Sequence, residues 1–145
     1  MKNKYLMPAE WSPHQRCWMA WPCREGLWDN LEETCKTYAA VAHAIRDFEP
    51  LRMLAPPHLV KQAHDFLGSD IEIIEIPIDD SWARDSGPNF VKNDDGKIAG
   101  VCFQFNAWGK KYETYDQDAK MAERILLNAD IPIIKSNLVA EGGGI

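Results

Sequence analysis

The pattern of apolar and polar positions along the chain predicts several helices. In residues 29–48 (DNLEETCKTYAAVAHAIRDF), apolar side chains recur at helical spacing and form one face, made of Leu31, Cys35, Tyr38, Ala42 and Ile45. Asp29 or Asn30 can cap the start of this helix. Residues 57–68 and 116–130 predict two further helices. In the last helix the residues expected to face inward are Ala119, Ala122, Ile125, Leu126 and Ala129.

Shorter apolar runs between these helices predict strands, which span residues 51–56, 71–78 and 131–136. Residues 89–105 predict a β-hairpin that turns at residues 94–96 (Asp-Asp-Gly). Residues 137–145 (NLVAEGGGI) predict the beginning of another strand. Because helices alternate with strands and no linker separates them, we expect one layered domain of the α/β or α+β class.

Composition and charge restrict the possible functions of the chain more than its possible folds. The chain has 145 residues, of which 46% are hydrophobic and 26% charged, as in ordinary globular domains. No stretch approaches the roughly 20 apolar residues of a membrane-spanning helix, and the first residues lack the apolar segment of a secretory signal. We therefore expect a cytoplasmic protein without a membrane partner. The formal charge of −6 disfavours a nucleic-acid partner and is compatible with a cationic ligand.

The cysteines and histidines form no recognisable metal motif. The cysteines lack the paired C-x-x-C spacing of zinc sites and are expected to be reduced; they are Cys17, Cys23, Cys35 and Cys102. His14 lies in a predicted loop, where a hydrogen bond explains it adequately. The other histidines lie in predicted helices, without a partner that spacing identifies; they are His43, His58 and His64.

The segment DDSWARDSGPNF (79–90) is the strongest candidate for binding chemistry. Asp85 and Trp82 lie close together at the end of an apolar run. The carboxylate could accept paired N–H bonds from a guanidinium, and the indole could cover its face or its stem. An Asp-rich loop whose side chains cap backbone groups explains the same residues without a ligand.

Two other segments contain candidate residues. Trp108 precedes Gly109 in FNAWGKKY and could wall a pocket, although a loop tryptophan packed on the body is the alternative. Glu141 precedes three glycines, which permit either a close backbone approach to a ligand or a simple turn. The opening segment contains Trp11, Trp18 and Trp21, and we expect most of these rings in the core.

Taken in order, MPAEWSPHQRCWMAWP, DDSWARDSGPNFV, FNAWGKKY and EGGG resemble the N-terminal part of the agmatine deiminase family, which belongs with bacterial-type peptidylarginine deiminases. The resemblance implies a pentein-type five-bladed α/β propeller of ββαβ units, with this chain supplying roughly the first two blades. It implies hydrolysis of agmatine to N-carbamoylputrescine and ammonia, through a Cys-amidino covalent intermediate in putrescine synthesis. It also implies that no metal or organic cofactor is used.

The resemblance assigns roles to individual residues. Asp85 matches the guanidinium-binding aspartate, and Trp82 matches the substrate-contacting tryptophan. Glu141 matches the glutamate that supports the catalytic histidine, and Trp108 is expected to shape the substrate pocket. Arg84 is expected to fix its loop by pairing with a nearby acid, because its charge is the same as that of the substrate.

The cysteines depart from the family pattern, because none of them matches the nucleophile. Residues 1–145 are therefore expected to be the N-terminal part of a single deiminase catalytic domain, truncated after EGGG and inactive alone. Its expected partners are agmatine and either a second copy or a complementing C-terminal chain. The alternatives are a peptidyl- or free-arginine deiminase and, in another class, a catalytically inactive binding or assembly module.

Overall fold

The computed structural model describes residues 4–145. In chain order the strands are β1 (Tyr5–Leu6), β2 (Cys17–Ala20), β3 (Leu51–Ala55), β4 (Glu72–Glu75), β5 (Asn89–Asn93), β6 (Ile98–Gln104) and β7 (Ile133–Val139). The helices are α1 (Leu31–Arg46), α2 (Val60–Leu67), α3 (Ala83–Ser86), α4 (Ala107–Lys110) and α5 (Met121–Asn128). The chain divides into two compact units. We call His14–Ala83 the parallel-sheet unit, and residues 4–13 with Arg84–Ile145 the mixed-sheet unit.

The parallel-sheet unit consists of three parallel strands in the order β2-β3-β4. Helix α1 connects β2 to β3, and α2 connects β3 to β4, so the unit has the order βαβαβ. Its core contains the fully buried Trp21, whose indole Nε1 donates to Gln62 Oε1 at 3.0 Å. The expectation that most of the opening tryptophans lie in the core is wrong: Trp21 is buried, Trp18 is half-buried, and Trp11 is 89% exposed and belongs to the other unit.

Helix α1 confirms the apolar face that the sequence predicts. Cys35 and Ala42 are buried, and the larger side chains of the same face pack partly buried against the core; they are Leu31, Tyr38 and Ile45. Asn30 begins the helix in extended conformation, and its side chain accepts a hydrogen bond from the backbone N–H of Glu33 at 3.2 Å. This cap satisfies one of the amide groups that a helix start leaves without a partner.

The mixed-sheet unit has the strand order β1-β5-β6-β7. Strands β5 and β6 form the predicted hairpin, and Gly96 supplies the positive φ of 79° that its turn requires. Helix α5 connects β6 to the parallel strand β7. The order β5-β6-α5-β7 is the ββαβ order expected of a propeller blade, whereas the parallel-sheet unit departs from it.

Two details of the C-terminal half differ from the sequence-based prediction. The last helix begins with a 3₁₀ turn at Asp118–Lys120, which advances side chains by a different angle per residue than an α-helix does. Ala119 is consequently exposed, and Met121 is buried in its place. Strand β7 runs without a break from Ile133 to Val139, so the separate strand predicted from residue 137 is a continuation of the same strand.

No helix within residues 4–145 combines the length and the apolar character that crossing a membrane requires.

Candidate active site

Asp85 lies in the single helical turn α3, directly before Gly87, Pro88 and strand β5. The following residue, Ser86, is buried, and its hydroxyl donates to the Met121 sulfur at 3.3 Å. This contact ties α3 to the start of helix α5 within the mixed-sheet unit. Asp85 is therefore presented from a short anchored turn, with its own side chain only partly buried.

Arg84 pairs with an acid, as the sequence led us to expect. Its Nη2 lies 2.6 Å from Glu10 Oε1 in the same unit, and both side chains are largely exposed. An exposed ion pair of this kind contributes little stability, on the order of 0–1 kcal/mol. Its effect is positional, since it connects the guanidinium of Arg84 with the segment that follows β1.

The EGGG segment packs directly on the turn that contains Asp85. Glu141 is extended and precedes a 3₁₀ turn at Gly142–Gly144. A Cβ on the buried Gly142 would come within 3.0 Å of the Arg84 carbonyl oxygen, closer than real Cβ atoms approach backbone. A Cβ on Gly143 would lie 3.5 Å from Asp85 Oδ1. Glycine at position 142 therefore permits the close backbone contact between the two sequence motifs.

The surroundings of Asp85 disfavour its negative charge. Burial raises the pKa of the Asp85 carboxyl group, and the nearby negative charge of Glu141 raises it further, while Arg84 acts in the opposite direction. Two carboxylates that repel one another form a site where a bound cation is favoured, because the cation relieves this repulsion.

Trp108 lies in the short segment α4, in a local aromatic cluster. Its ring packs edge-on against Phe105, with ring centroids 5.2 Å apart, and against Tyr112, with centroids 5.9 Å apart. Its backbone is left-handed, with φ 54° and ψ 49°, and the Asn106 side chain accepts from Gly109 N at 2.8 Å. Such a conformation is costly for a bulky residue. The surrounding loop therefore fixes the position of this ring.

Trp82 belongs to the parallel-sheet unit and is 37% exposed. Its ring stacks on Trp28, with centroids 6.2 Å apart and planes inclined by 28°. Trp28 in turn meets the edge of Tyr38, whose hydroxyl lies 2.9 Å from Ser81 Oγ. The sequence reasoning missed Trp28, because its loop position carries no periodic pattern that would connect it to Trp82.

The Asp80 carboxylate, also in the parallel-sheet unit, has a structural environment. Asp80 is 1% exposed, and Arg24 Nε donates to its Oδ2 at 2.7 Å. Its other oxygen accepts from the backbone N–H of Ser81 at 2.8 Å. A buried carboxylate with a charged partner and a backbone donor holds its segment in place. Asp85 is thus a better candidate for ligand binding than Asp80.

The environments of three cysteines disfavour the thiolate form. Burial, followed by a hydrogen bond to Glu49, raises the pKa of Cys17 to about 11. Burial also raises the pKa of Cys35, with Glu32 contributing. It raises that of Cys102, where Glu123 adds to the shift and Lys135 opposes it. Since the thiolate is the nucleophile, these three side chains are poorly suited to attack a substrate at neutral pH.

Comparison with known proteins connects these features to a family. Residues 6–145 match the model of the Porphyromonas-type peptidyl-arginine deiminase family. A putative agmatine deiminase of Legionella pneumophila is 42% identical over 142 residues, which cover 96% of this chain and 41% of that protein. The agmatine deiminase of Stutzerimonas stutzeri is 42% identical over 131 residues, or 86% of this chain and 36% of the relative. The chain thus spans about 40% of the length of the relatives that it matches.

The fold is shared with a solved agmatine deiminase of Enterococcus faecalis. The two align with a TM-score of 0.92 and 34% identity, covering 96% of this chain and 40% of the solved chain. This likeness confirms the expected fold class, a pentein-type α/β propeller of which the chain supplies a part. The match of the family model over nearly the whole sequence shows that the chain belongs to the Porphyromonas-type peptidyl-arginine deiminase family.

Proposed function

We propose that this chain supplies the guanidinium-binding aspartate, Asp85, and the glutamate that supports the catalytic histidine, Glu141, of an agmatine deiminase, as the N-terminal part of its catalytic domain. The reaction is hydrolysis of agmatine to N-carbamoylputrescine and ammonia. The names of the relatives from Legionella and Stutzerimonas support agmatine as the substrate. Residues 1–145 span about 40% of such proteins, so the proposal concerns the complete enzyme that contains this chain.

The observation that carries the proposal is the pair of acids in the mixed-sheet unit. Asp85 and Glu141 come from distant parts of the sequence, and Gly142 and Gly143 allow their segments to pack closely. Burial raises the pKa of Asp85, and the electrostatic interaction with Glu141 raises it further. A guanidinium is planar and donates paired N–H bonds, which match the two oxygens of a carboxylate. Binding this cation offsets the repulsion and stabilises the ionised form of Asp85.

The roles of the tryptophans rest on the sequence motif. Trp82 precedes Asp85 by three residues, and we propose that its ring covers the guanidinium or its aliphatic stem. Its stacking on Trp28 supports this role, because a braced ring loses less conformational freedom when a ligand binds. We propose that Trp108 shapes the pocket from its fixed position in α4.

In the proposed mechanism, Asp85 binds and orients the guanidinium, and Glu141 supports the catalytic histidine. A cysteine thiolate attacks the guanidinium carbon, ammonia leaves after protonation, and water hydrolyses the amidino–cysteine bond to release the ureido product. Cys17, Cys35 and Cys102 are poorly suited to be that nucleophile, since their pKa values are raised. None of the four cysteines, Cys23 included, matches the family's nucleophile in the sequence, so we assign the covalent step to a cysteine outside these 145 residues.

The test is an ammonia-release assay on the full-length protein. We expect agmatine to be hydrolysed with a higher kcat/KM than arginine or a peptidyl-arginine. Asp85→Asn removes the charge that balances the cation but keeps the shape, and should lower kcat/KM by about a hundredfold or more. Asp116→Asn removes a charge from an exposed loop and serves as the matched control.

Near-normal turnover by the Asp85→Asn variant would disprove the role of Asp85. A preference for arginine or peptidyl-arginine would instead replace agmatine as the substrate while leaving the site assignment intact. No turnover of any guanidino compound by the full-length protein would favour the inactive binding module. A cytoplasmic location and an oligomeric or complementing partner stay predictions.

A further inference from the structure

A second cluster of reactive side chains lies in the parallel-sheet unit. One ligand-type atom from each of His14, Cys17 and Glu49 lies within 4.8 Å of the others. His14 Nδ1 is 3.3 Å from Glu49 Oε2, and the Cys17 thiol donates to Glu49 Oε1 at 3.1 Å. The sequence reasoning looked for paired cysteines and so overlooked this set, in which Glu49 is 32 residues beyond Cys17.

The pairing of two strands creates the cluster. Cys17 begins β2 opposite Leu51 of β3, and the Cys17 backbone N–H donates to the Pro50 carbonyl at 2.9 Å. Glu49 directly precedes this contact, and its backbone N–H donates to Ile45 O at 3.0 Å at the end of α1. His14 lies three residues before Cys17, on the same entry to β2. The backbone positions of the ligands are therefore fixed without any ion.

We propose that His14, Cys17 and Glu49 bind one Zn²⁺ ion, with water as the fourth ligand. Sulfur, nitrogen and carboxylate oxygen are the donor atoms of zinc in proteins. A thiolate and a carboxylate neutralise the charge of the ion, while the imidazole binds as a neutral group. Mg²⁺ and Ca²⁺ require sets of oxygen ligands, which this cluster does not provide.

The distances fit a tetrahedral ion after small side-chain movements. With Zn–N and Zn–O bonds near 2.0 Å and Zn–S near 2.3 Å, ligand atoms lie about 3.3–3.6 Å apart. Measured to the same oxygen, Glu49 Oε1, the His14 Nδ1 and Cys17 Sγ atoms lie at 3.4 Å and 3.1 Å, and the nitrogen–sulfur pair is within 4.8 Å. His14 is half exposed, so its ring can approach without disturbing the core.

Zinc binding exchanges a proton for a metal bond at one ligand, Cys17. The Cys17 thiol now donates to Glu49, and its proton passes to solvent as the Zn–S bond forms. The Nδ1 of His14 presents its lone pair to the ion, so the neutral ring carries its proton on Nε2. No ligand is oxidised or reduced. The ion links the start of β2 to the connection between α1 and β3, and it is expected to stabilise the folded unit.

This proposal does not rest on the proposed deiminase function, because every ligand lies in His14–Ala83 while the candidate acids lie in the other unit. A zinc titration of the reduced 145-residue chain by calorimetry tests it. We expect one ion per chain, with binding weakened by at least about tenfold in each of His14→Ala and Cys17→Ser. The half-exposed His14 permits its substitution without loss of the fold, which circular dichroism checks.

Matched controls separate this site from general binding to thiols and imidazoles. Cys102→Ser removes a partly buried thiol of the mixed-sheet unit, and His43→Ala removes an exposed imidazole of α1. Both controls should keep wild-type affinity. Titration with Co²⁺ should produce thiolate-to-metal absorption in the wild type and in both controls, but not in Cys17→Ser.

The proposal is overturned if the chain binds no zinc at a ratio of one to one. It is also overturned if His14→Ala and Cys17→Ser bind zinc as tightly as the wild type. The same holds if Cys102→Ser and His43→Ala lose as much zinc affinity as His14→Ala and Cys17→Ser. An unchanged Co²⁺ absorption in Cys17→Ser would likewise contradict it.

Discussion

At the scale of single residues, Asp85 has a charge that its surroundings oppose. Its pKa is raised by burial first and by Glu141 second, with Arg84 opposing. A group whose pKa is higher in the folded than in the unfolded chain stabilises the folded chain fully when the pH is below its pKa in the unfolded chain. That stabilisation is lost as the pH rises through its pKa in the folded chain. Ionised Asp85 therefore destabilises the folded chain at neutral pH.

The variant Asp85→Asn tests this conclusion through stability alone. Asparagine does not ionise, so the variant should gain stability relative to the wild type as the pH rises from about 4 towards 7. Urea unfolding at a series of pH values measures the difference. Asp116→Asn reports the general effect of removing one negative charge from a chain of net charge −6.

A constant difference between Asp85→Asn and wild type across this pH range would show that Asp85 ionises equally easily in both states. Equal pH-dependent gains in the Asp85 and Asp116 variants would assign the effect to net charge. A pH-dependent gain in stability that is confined to Asp85→Asn, together with the expected loss of turnover, would mean that the cation-binding site lowers the stability of the folded chain.

Single residues were predictable where a motif contained them together. Trp82, Arg84 and Asp85 share one segment of the sequence; the pairing of Arg84 with an acid is confirmed, and the binding roles of Trp82 and Asp85 stay predictions. Trp28 was missed, because its stacking on Trp82 depends on tertiary packing between residues 54 positions apart. His14, Cys17 and Glu49 were missed for the same reason, since the pairing of β2 with β3 brings them together.

At the scale of elements, helical periodicity predicted buried faces well where the helix is regular. Helix α1 follows its Asn30 cap, and the expected side chains lie buried or partly buried against the core. For the last helix part of the prediction was wrong, because its 3₁₀ start leaves Ala119 exposed and Met121 buried. Strand β7 was divided in the prediction because residues 136–137 (Ser-Asn) interrupt the apolar pattern. The structure has one strand, and the interruption coincides with a register shift in its pairing with β6, between the partners Cys102–Lys135 and Gln104–Val139.

The contact between the Gly142–Gly144 turn and α3 allows a prediction with an internal control. Gly142→Ala places a methyl group against the Arg84 carbonyl, which is backbone and cannot rotate away. The two elements must separate, at a cost of about 1–3 kcal/mol. A Cβ on Gly144 would meet nothing within 4 Å, so Gly144→Ala should change stability by less than about 0.5 kcal/mol.

Urea midpoints of both variants measure this prediction. Because separation of the elements also moves Glu141 away from Asp85, Gly142→Ala should lower the pKa of the Asp85 carboxyl group, as NMR titration would show. Equal midpoints for the Gly142 and Gly144 variants would mean that the turn does not pack on α3 as described.

At the scale of the whole molecule, the order of four motifs predicted the family, although no single motif would have done so. The expected ββαβ order appears in the mixed-sheet unit as β5-β6-α5-β7. The βαβαβ order of the parallel-sheet unit was not foreseen, because β2 lies in an aromatic-rich segment whose strand pattern extends over only Cys17–Ala20. Short strands of this kind are recognisable chiefly from their pairing partners.

The outer edge of β7 predicts how the chain behaves in solution. This strand ends the order β1-β5-β6-β7, and Leu138 and Val139 are 67% and 53% exposed on it. An apolar edge strand with unpaired backbone groups favours pairing with another copy. We therefore expect the 145-residue chain to self-associate as its concentration rises, and Leu138→Lys to weaken this association. Like charges across paired strands cost about 0.2–1 kcal/mol, or up to roughly fivefold in affinity.

Sedimentation over a range of concentrations tests this prediction. Val41→Lys is the matched control, because Val41 is 46% exposed on helix α1, away from any strand edge. The control should associate like the wild type, since it alters apolar exposure without placing a charge at β7. A wild-type chain that stays monomeric at every concentration would show that β7 does not act as a pairing edge. Each variant changes the net charge from −6 to −5. If both lysine variants weakened the association equally, net charge and not the edge of β7 would control it.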